Sequence, residues 1–570
     1  MKGNKYHISR NQLGALITLS AVAIWGVWVI WLHMIRPLGI VYIDILFLSA
    51  MAPVYLILLP FYALRVRWSY ISGIIVLSGL FLGLLKSLLD HSFFFSFSAY
   101  NLTTIVVLIS AGACIYFSIR SYLESPLVNW IKSIVGVGVM LLISGVAIWQ
   151  GSIHQMEIEN LLLERVIRSV QARTGNIEPL DEKIEALMDE GDLPSLAVSI
   201  IVNDRIVQLK GYGETEDLDK MFDMGSITKS FTATSVLQLY DRGFIDLDDD
   251  VNEYLPFEVR HPDYPDIPIT IRMLLTHRSC LAHKMGLYDA YVMGSTLRQW
   301  GVKNRGWEYS DELSTLDYPD FMSAYLEPGG AYYQPENWAN CQPSTEYVYS
   351  TPGFDLLGYV VEQVSNQPID IYMQENIFDP LGMDRTTATP LDTPEGIAIP
   401  YERWFGVLAK TNVQLPLSQR RRVGGGGLYT TAGDLSKFLI AHMNYGEFEG
   451  YQLLKPDTVG LMHSKASQAS GDFMQVGYGY GWGRFQEEPR QMWAITYQPR
   501  GYQGHGGRYW GYASAMYMVK DQQGAYGYAL LMNTSMVESM DYPWVFAIQN
   551  NIQDLILGEA HRMYQASFNQ

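Results

Sequence analysis

Three short patterns in this 570-residue sequence combine residue types that can carry nucleophilic chemistry. The first is Ser226-Ile227-Thr228-Lys229. Residues i and i+3 share a helix face, so on a helix the Lys229 amine reaches the Ser226 hydroxyl. A hydroxyl alone is a weak nucleophile and needs such a partner. A helix N-terminus adds backbone N–H groups and positive potential where an oxyanion forms. Alone, a Ser followed three residues later by a Lys arises about once by chance in a chain of this size. The second pattern is Tyr349-Ser350-Thr351. A phenol held near a Lys ammonium has its pKa lowered and can act as a base. A lone tyrosine among thirty-eight is otherwise a packing residue. The third is His505-Gly506-Gly507, ahead of a strand-like run at 514–519. Small residues on an edge strand let backbone approach a substrate closely, or simply make a turn.

The surrounding segments decide whether these patterns can meet. LAVSIIVNDRIVQLKGYG predicts two strands, 196–202 and 205–210, joined at Asn203-Asp204. Residues 226–240 predict a helix that Gly243 ends. From about residue 181 onward the pattern is mixed α/β. Competing chemistries lack their signatures. No G-x-S-x-G elbow, H-E-x-x-H zinc pair or G-x-x-x-x-G-K-[ST] phosphate loop occurs. No metal or cofactor is therefore expected.

In order and context, these segments resemble the class C β-lactamase-like serine hydrolases, which include penicillin-binding proteins, DD-carboxypeptidases, D-aminopeptidases and esterases. GSITKSFTATSVLQL resembles the family's nucleophile helix, and LDDDVNEYLP the stretch after it. ITIRMLLTHRSCL is similar to the family's ITIRHLLTHTSGL. YSTPGFDLLGYVVEQVSNQP resembles its Tyr-Ser-Asn segment, GGGGLYTTAGDLSKFL its Gly-Gly-Leu run, and GHGGRYWGYASAMYMV its Lys-Thr-Gly or His-x-Gly strand. The resemblance spans residues 181–558, about two-thirds of the chain.

It implies an α/β fold over 181–565, an antiparallel sheet flanked by helices. Its α/β parts would span about 181–245 and 420–560, with a mainly helical subdomain over 246–419. It also implies that Ser226 becomes acylated, with Lys229 and Tyr349 jointly moving the proton. The backbone N–H groups of Ser226 and Arg508 would form the oxyanion hole, and Thr351, His505, Gly506 and Gly507 would face the substrate. Thr351 stands where the family has Asn, and a hydroxyl makes fewer hydrogen bonds. His505-Gly506 in place of Lys-Thr removes a cation and a hydroxyl suited to a substrate carboxylate. Cys280 replaces the usual Gly.

Cys280 and Cys341 can pair in an oxidising compartment or remain two buried thiols. Trp300, Trp307, Tyr332, Tyr333, Trp338, Trp493, Tyr502, Tyr509 and Trp510 either line a cleft for an apolar or peptide-like substrate or pack a core.

The first 150 residues differ in kind. They carry nine Lys/Arg and three Asp/Glu, a balance of +6, leaving −24 for the remainder. Five apolar runs, 13–32, 40–64, 71–89, 102–119 and 133–149, each approach the roughly 17–25 residues of a membrane-spanning helix. Lys2, Lys5, Arg10, Arg65, Arg67, Arg120 and Lys132 fall on one side of an alternating five-span arrangement. Positive charge marks that side as cytoplasmic. The expected fold is thus a multi-span α-helical membrane region, a helical connector over 151–180, and a hydrolase domain outside the cytoplasm.

The expected partners are the lipid bilayer and a small peptide, ester or cell-envelope substrate. The acidic body excludes nucleic acid. Two other outcomes fit the motifs: an esterase, and a sensor that β-lactam acylates.

Overall fold

The computed structural model describes residues 179–568 except for 215–216, 284–285, 389–395, 404–411, 415–422, 468–474, 486–489, 493–494, 498–501 and 535–542. The five expected spans and most of the connector lie outside the described residues. Among the described residues, no helix is long and apolar enough to cross a membrane.

Helix α1 (Leu180–Gly191) leads into β1 (Ser195–Val202) and β2 (Arg205–Gly213). Asn203 makes the turn between these strands with φ 56°, a left-handed conformation that Asn tolerates. β3 (Gln475–Tyr478), β4 (Gly483–Phe485), β5 (Gln503–Tyr509), β6 (Tyr512–Lys520) and β7 (Ala525–Met532) complete the main sheet. Its order is β2-β1-β7-β6-β5-β4-β3, and every pairing is antiparallel.

The sheet's centre is covered on both faces. β1 and β7 are buried along their whole length. An antiparallel sheet with one wet face would alternate instead. Helix α5 (Pro543–Ser567) packs with α1 against β1 and β7, and α4 (Ala432–Met443) packs on the same strands. β5 is interior in strand order, not an edge as its small residues suggest. Yet it pairs with β4 only at Gln503 and Gly504, so no strand of the sheet pairs with its outer side from His505 onward.

Between the two parts of the sheet the chain is mainly helical. The longest element there is α3 (Thr351–Ser365), capped by Ser350, whose hydroxyl accepts the Gly353 N–H at 2.9 Å. A proline sits in its first turn, where the missing N–H costs nothing.

Helix α2 (Thr228–Asp241) runs through the middle, with all residues from Thr228 to Leu239 buried. A helix apolar on one stripe could not be buried all round. Here the Ser and Thr side chains are satisfied internally. Ser230 donates to Gly481 O at 2.8 Å, Thr232 to Gly424 O at 2.8 Å, and Thr234 to Ser230 O at 2.8 Å. Apolar contacts fill the rest, with Phe231 stacked 3.8 Å from Phe438. The described residues belong to one compact unit.

Candidate active site

Ser226 lies in a 3-10 turn, Gly225–Ile227, that feeds directly into α2. The expected α-helix therefore begins two residues later than its first polar residue suggests. The turn is built by Asp223, whose carboxylate accepts the Gly225 N–H at 2.7 Å. Gly225 has φ 55°, which a side chain would strain. Space also forbids one, since a Cβ there would stand 2.8 Å from the backbone N of Arg508. Gly507 is equally confined, as its Cβ would fall 1.9 Å from Met224 O. Two glycines thus let β5 press against the serine turn and bring the Arg508 backbone beside Gly225, next to Ser226.

At the second residue of α2, the Lys229 side chain is fully buried. Its Nζ donates to Ser226 Oγ at 3.1 Å, to Thr351 Oγ1 at 3.3 Å and to Gly425 O at 2.6 Å. The same Nζ lies 4.9 Å from the centre of the Tyr349 ring. Ser226 lies beside the Tyr349 phenol and acts to lower its pKa. The structure thus brings Ser226, Lys229, Tyr349 and Thr351 into one cluster. Arg508 contributes its backbone there, while its side chain is exposed.

Glycine closes the other side. Gly425 packs so tightly on α3 that a Cβ would meet Thr351 Cγ2 at 2.5 Å. The Gly425 N–H donates at 2.7 Å to the buried Asp355 carboxylate, which also accepts the Tyr288 hydroxyl at 2.8 Å. Asp355 thereby fixes the carbonyl that holds Lys229. Sequence reasoning passed over this acid, whose only signal was its place one helical turn beyond Thr351.

Two expectations change. Protein around Tyr349 raises its phenol above the ordinary value of 10, and Ser226 offsets this only in part. The residue keeps 38% of its surface open to solvent, which moderates the rise without reversing it. Its rise runs opposite to the lowering expected from a nearby ammonium, because burial is the largest influence. Burial thus favours the protonated phenol at Tyr349.

His505 also departs from expectation. It is 6% exposed, and both ring nitrogens are engaged. Nδ1 lies 2.6 Å from Gly506 O, and a carbonyl only accepts, so this nitrogen carries the proton. Nε2 then accepts the Tyr478 hydroxyl at 3.1 Å. Burial, then the Lys229 charge, pushes the imidazole down to about 3. His505 braces β5 against β3 as a neutral group.

Of the aromatic residues weighed as cleft lining, Trp307, Trp338, Tyr509 and Trp510 are buried core, and Trp300, Tyr332 and Tyr333 pack against that core. Tyr502 is half-buried against Tyr517, and Trp493 lies outside the described residues. Cys280 and Cys341 are joined by a disulfide, with Cα atoms 6.0 Å apart.

The beta-lactamase family model matches residues 180–547. The chain belongs to the beta-lactamase family. It is accordingly a serine hydrolase, of the group that includes peptidases, amidases and esterases. Among similar proteins, penicillin-binding protein 4 of Amycolatopsis lactamdurans is 26% identical over 53% of this chain and 74% of its own length. The D-alanyl-D-alanine-carboxypeptidase/endopeptidase AmpH of Escherichia coli K12 is 26% identical over 41% of this chain. The match spans 54% of that relative, about half its length. A solved octameric penicillin-binding protein homologue from Pyrococcus abyssi is 24% identical, with a TM-score of 0.48 over 62% of this chain and 72% of that one.

The buried imidazoles give this beta-lactamase-family domain a predictable response to acid. Burial pushes His277 well below 6.5, and pushes His442 and His505 down to about 3. Each is neutral when folded and takes up a proton on unfolding below about pH 6.5. Their contribution is intact above about 6.5 and is lost as pH falls toward 3. Each histidine costs up to about 1.4 kcal/mol per pH unit in that window. The urea midpoint should therefore fall steeply between pH 6.5 and 5 and stay nearly flat from 7 to 8. A midpoint unchanged down to pH 5 would show that these rings are charged when folded.

Proposed function

We propose that this chain is a membrane-anchored, extracytoplasmic serine hydrolase that cleaves an amide or ester through an acyl-enzyme on Ser226. The observation that carries this reading is the 3.1 Å contact between Lys229 Nζ and Ser226 Oγ, buried on one side and open on the other toward Tyr349. Ser226 Oγ attacks the substrate carbonyl carbon as its proton is relayed through the Tyr349 hydroxyl, polarised by the Lys229 ammonium, toward the leaving atom. The oxyanion is held by the N–H groups of Ser226 and Arg508. Collapse expels an amine or alcohol, which receives the proton from neutral Tyr349. Water then attacks the acyl group by the reverse proton path and frees Ser226.

Thr351 and β5 are the surfaces this reading gives the substrate. A peptide or cell-envelope substrate is favoured by the names of the two relatives. The disulfide supports an oxidising compartment, and the Lys/Arg bias of the N-terminal loops supports placement outside the cytoplasm. Protease added to spheroplasts should digest the chain beyond residue 151 and spare the N-terminus. Protection of the C-terminal part would refute five crossings.

Substrate charge offers the sharper test. With His505 neutral and Gly506 lacking a hydroxyl, the site forgoes a charge-assisted hydrogen bond, about 1.5–3 kcal/mol. That is roughly ten- to a hundredfold in binding. Neutral esters and internal amides should be turned over better by about that factor than matched substrates with a free carboxylate. Penicillin hydrolysis as efficient as that of neutral esters would overturn this reading of β5. Stoichiometric acylation by a β-lactam, with no turnover of any ester or peptide, would instead favour a sensor.

A further inference from the structure

The acid–base group proposed above requires Tyr349 to stay within reach of Ser226 although more than a third of its surface faces solvent. An exposed loop tyrosine does not hold one position by itself. What holds it is a residue outside that group.

His277 follows the short helix Ile271–Leu275 and is fully buried. Its backbone is left-handed, with φ 56°. Two of its acceptors receive the peptide N–H groups on either side of Tyr349. Val348 N–H donates to His277 O at 2.7 Å, and Ser350 N–H donates to His277 Nδ1 at 3.1 Å. Between these two bonds the imidazole lies against the tyrosine ring itself, with centres 4.4 Å apart. Tyr478 and Phe354 hold the imidazole from other sides at 4.7 and 5.0 Å.

We propose that His277 is a positioning residue for Tyr349, gripping it by the backbone N–H groups of the residues on either side and by its ring. This inference rests on the reading of Ser226, Lys229 and Tyr349 as the reacting group. Because Nδ1 accepts a peptide N–H, it cannot carry a proton, and the ring serves only as the neutral Nε2–H tautomer. The same two chain segments are laced further along. Ser344 N–H donates to Arg278 O at 2.7 Å, Ala339 N–H donates to Cys280 O at 2.8 Å, and the Cys280–Cys341 disulfide joins them.

Positioning predicts a pattern that packing alone does not. Tyr349 matters most when the leaving group needs a proton. His277→Phe keeps a ring but lacks the acceptor. It should lower kcat for phenyl butyrate about tenfold or more, with KM changed less than twofold. For 4-nitrophenyl butyrate, whose leaving group departs more readily, the loss should be smaller. The rate of Ser226 labelling by a fluorophosphonate, which expels fluoride, should change least.

His277→Asn offers an acceptor on a residue that tolerates left-handed backbone. It should recover most of the lost activity, and it remains informative if the Phe variant fails to fold. The double variant His277→Phe with Tyr349→Phe should be no slower than Tyr349→Phe alone, because coupled residues are not additive. Multiplied losses in the double variant would overturn the proposal. So would a folded His277→Asn protein as impaired as His277→Phe, or equal losses across the three reagents. A Tyr349→Phe protein with wild-type rates would instead remove Tyr349 from the reacting group, a separate failure that takes the underlying reading with it.

Discussion

Ser226→Ala should abolish covalent labelling by a fluorophosphonate and reduce turnover by about a million-fold, as loss of the nucleophile does in other serine enzymes. The fold should hardly notice. The 3-10 turn is set by the Asp223–Gly225 hydrogen bond and by the left-handed Gly225, neither of which uses the serine hydroxyl. Ser226 Oγ accepts from Lys229 and lies beside Tyr349, and both neighbours keep other contacts. Intact-mass measurement after labelling, paired with a thermal melt, separates the two effects. A full adduct on the folded alanine variant would place the nucleophile elsewhere.

Lys229→Met should be nearly as damaging. Methionine preserves most of the buried stem while removing the amine. Positioned proton transfer contributes about 10²–10⁴ in rate. Lys229 also orients Ser226 and Thr351 at once, so a loss at the upper end, about 10⁴, is expected in the acylation rate. Two opposing terms limit the change in stability. Gly425 O loses a charged donor, which costs about 1–3 kcal/mol when an acceptor stays buried and unpaired. Against that, a cation no longer has to be desolvated. Stopped-flow acylation beside a urea titration resolves the two. Wild-type acylation in the methionine variant would show that Ser226 needs no activation by this amine.

Much of the site was legible because short-range rules governed it. The i, i+3 spacing of Ser226 and Lys229 survives the switch from 3-10 turn to α-helix, since both geometries keep those positions close. The strands β1 and β2 and their turn followed from the two strand-like runs on either side of Asn203-Asp204. What escaped was set by contacts distant in sequence. Gly425 holds Lys229 from 196 residues away, and His277 holds Ser350 from 73 away. No periodicity announces such pairs. The Tyr349 pKa was misjudged because a neighbouring charge is visible in a motif and desolvation is not. The aromatic residues after residue 281 were ambiguous because the side chains that line a cleft also fill a core.

The laced segments around the disulfide have a meaning for how such an enzyme can change. Cys280 and Cys341 are 61 residues apart in sequence, and the ladder of hydrogen bonds runs beside them. The two ends of the intervening segment are clasped at one neck, close to His277 and Tyr349, while Tyr288 and Trp307 within it pack into the core. Changes at exposed positions of that segment need not propagate past the clasp to the reacting group, whereas Tyr288 inside it reaches Lys229 through Asp355 and Gly425. Libraries that randomise only the exposed positions within residues 295–335 while sparing the clasp should retain fluorophosphonate reactivity far more often than libraries of equal size that open it.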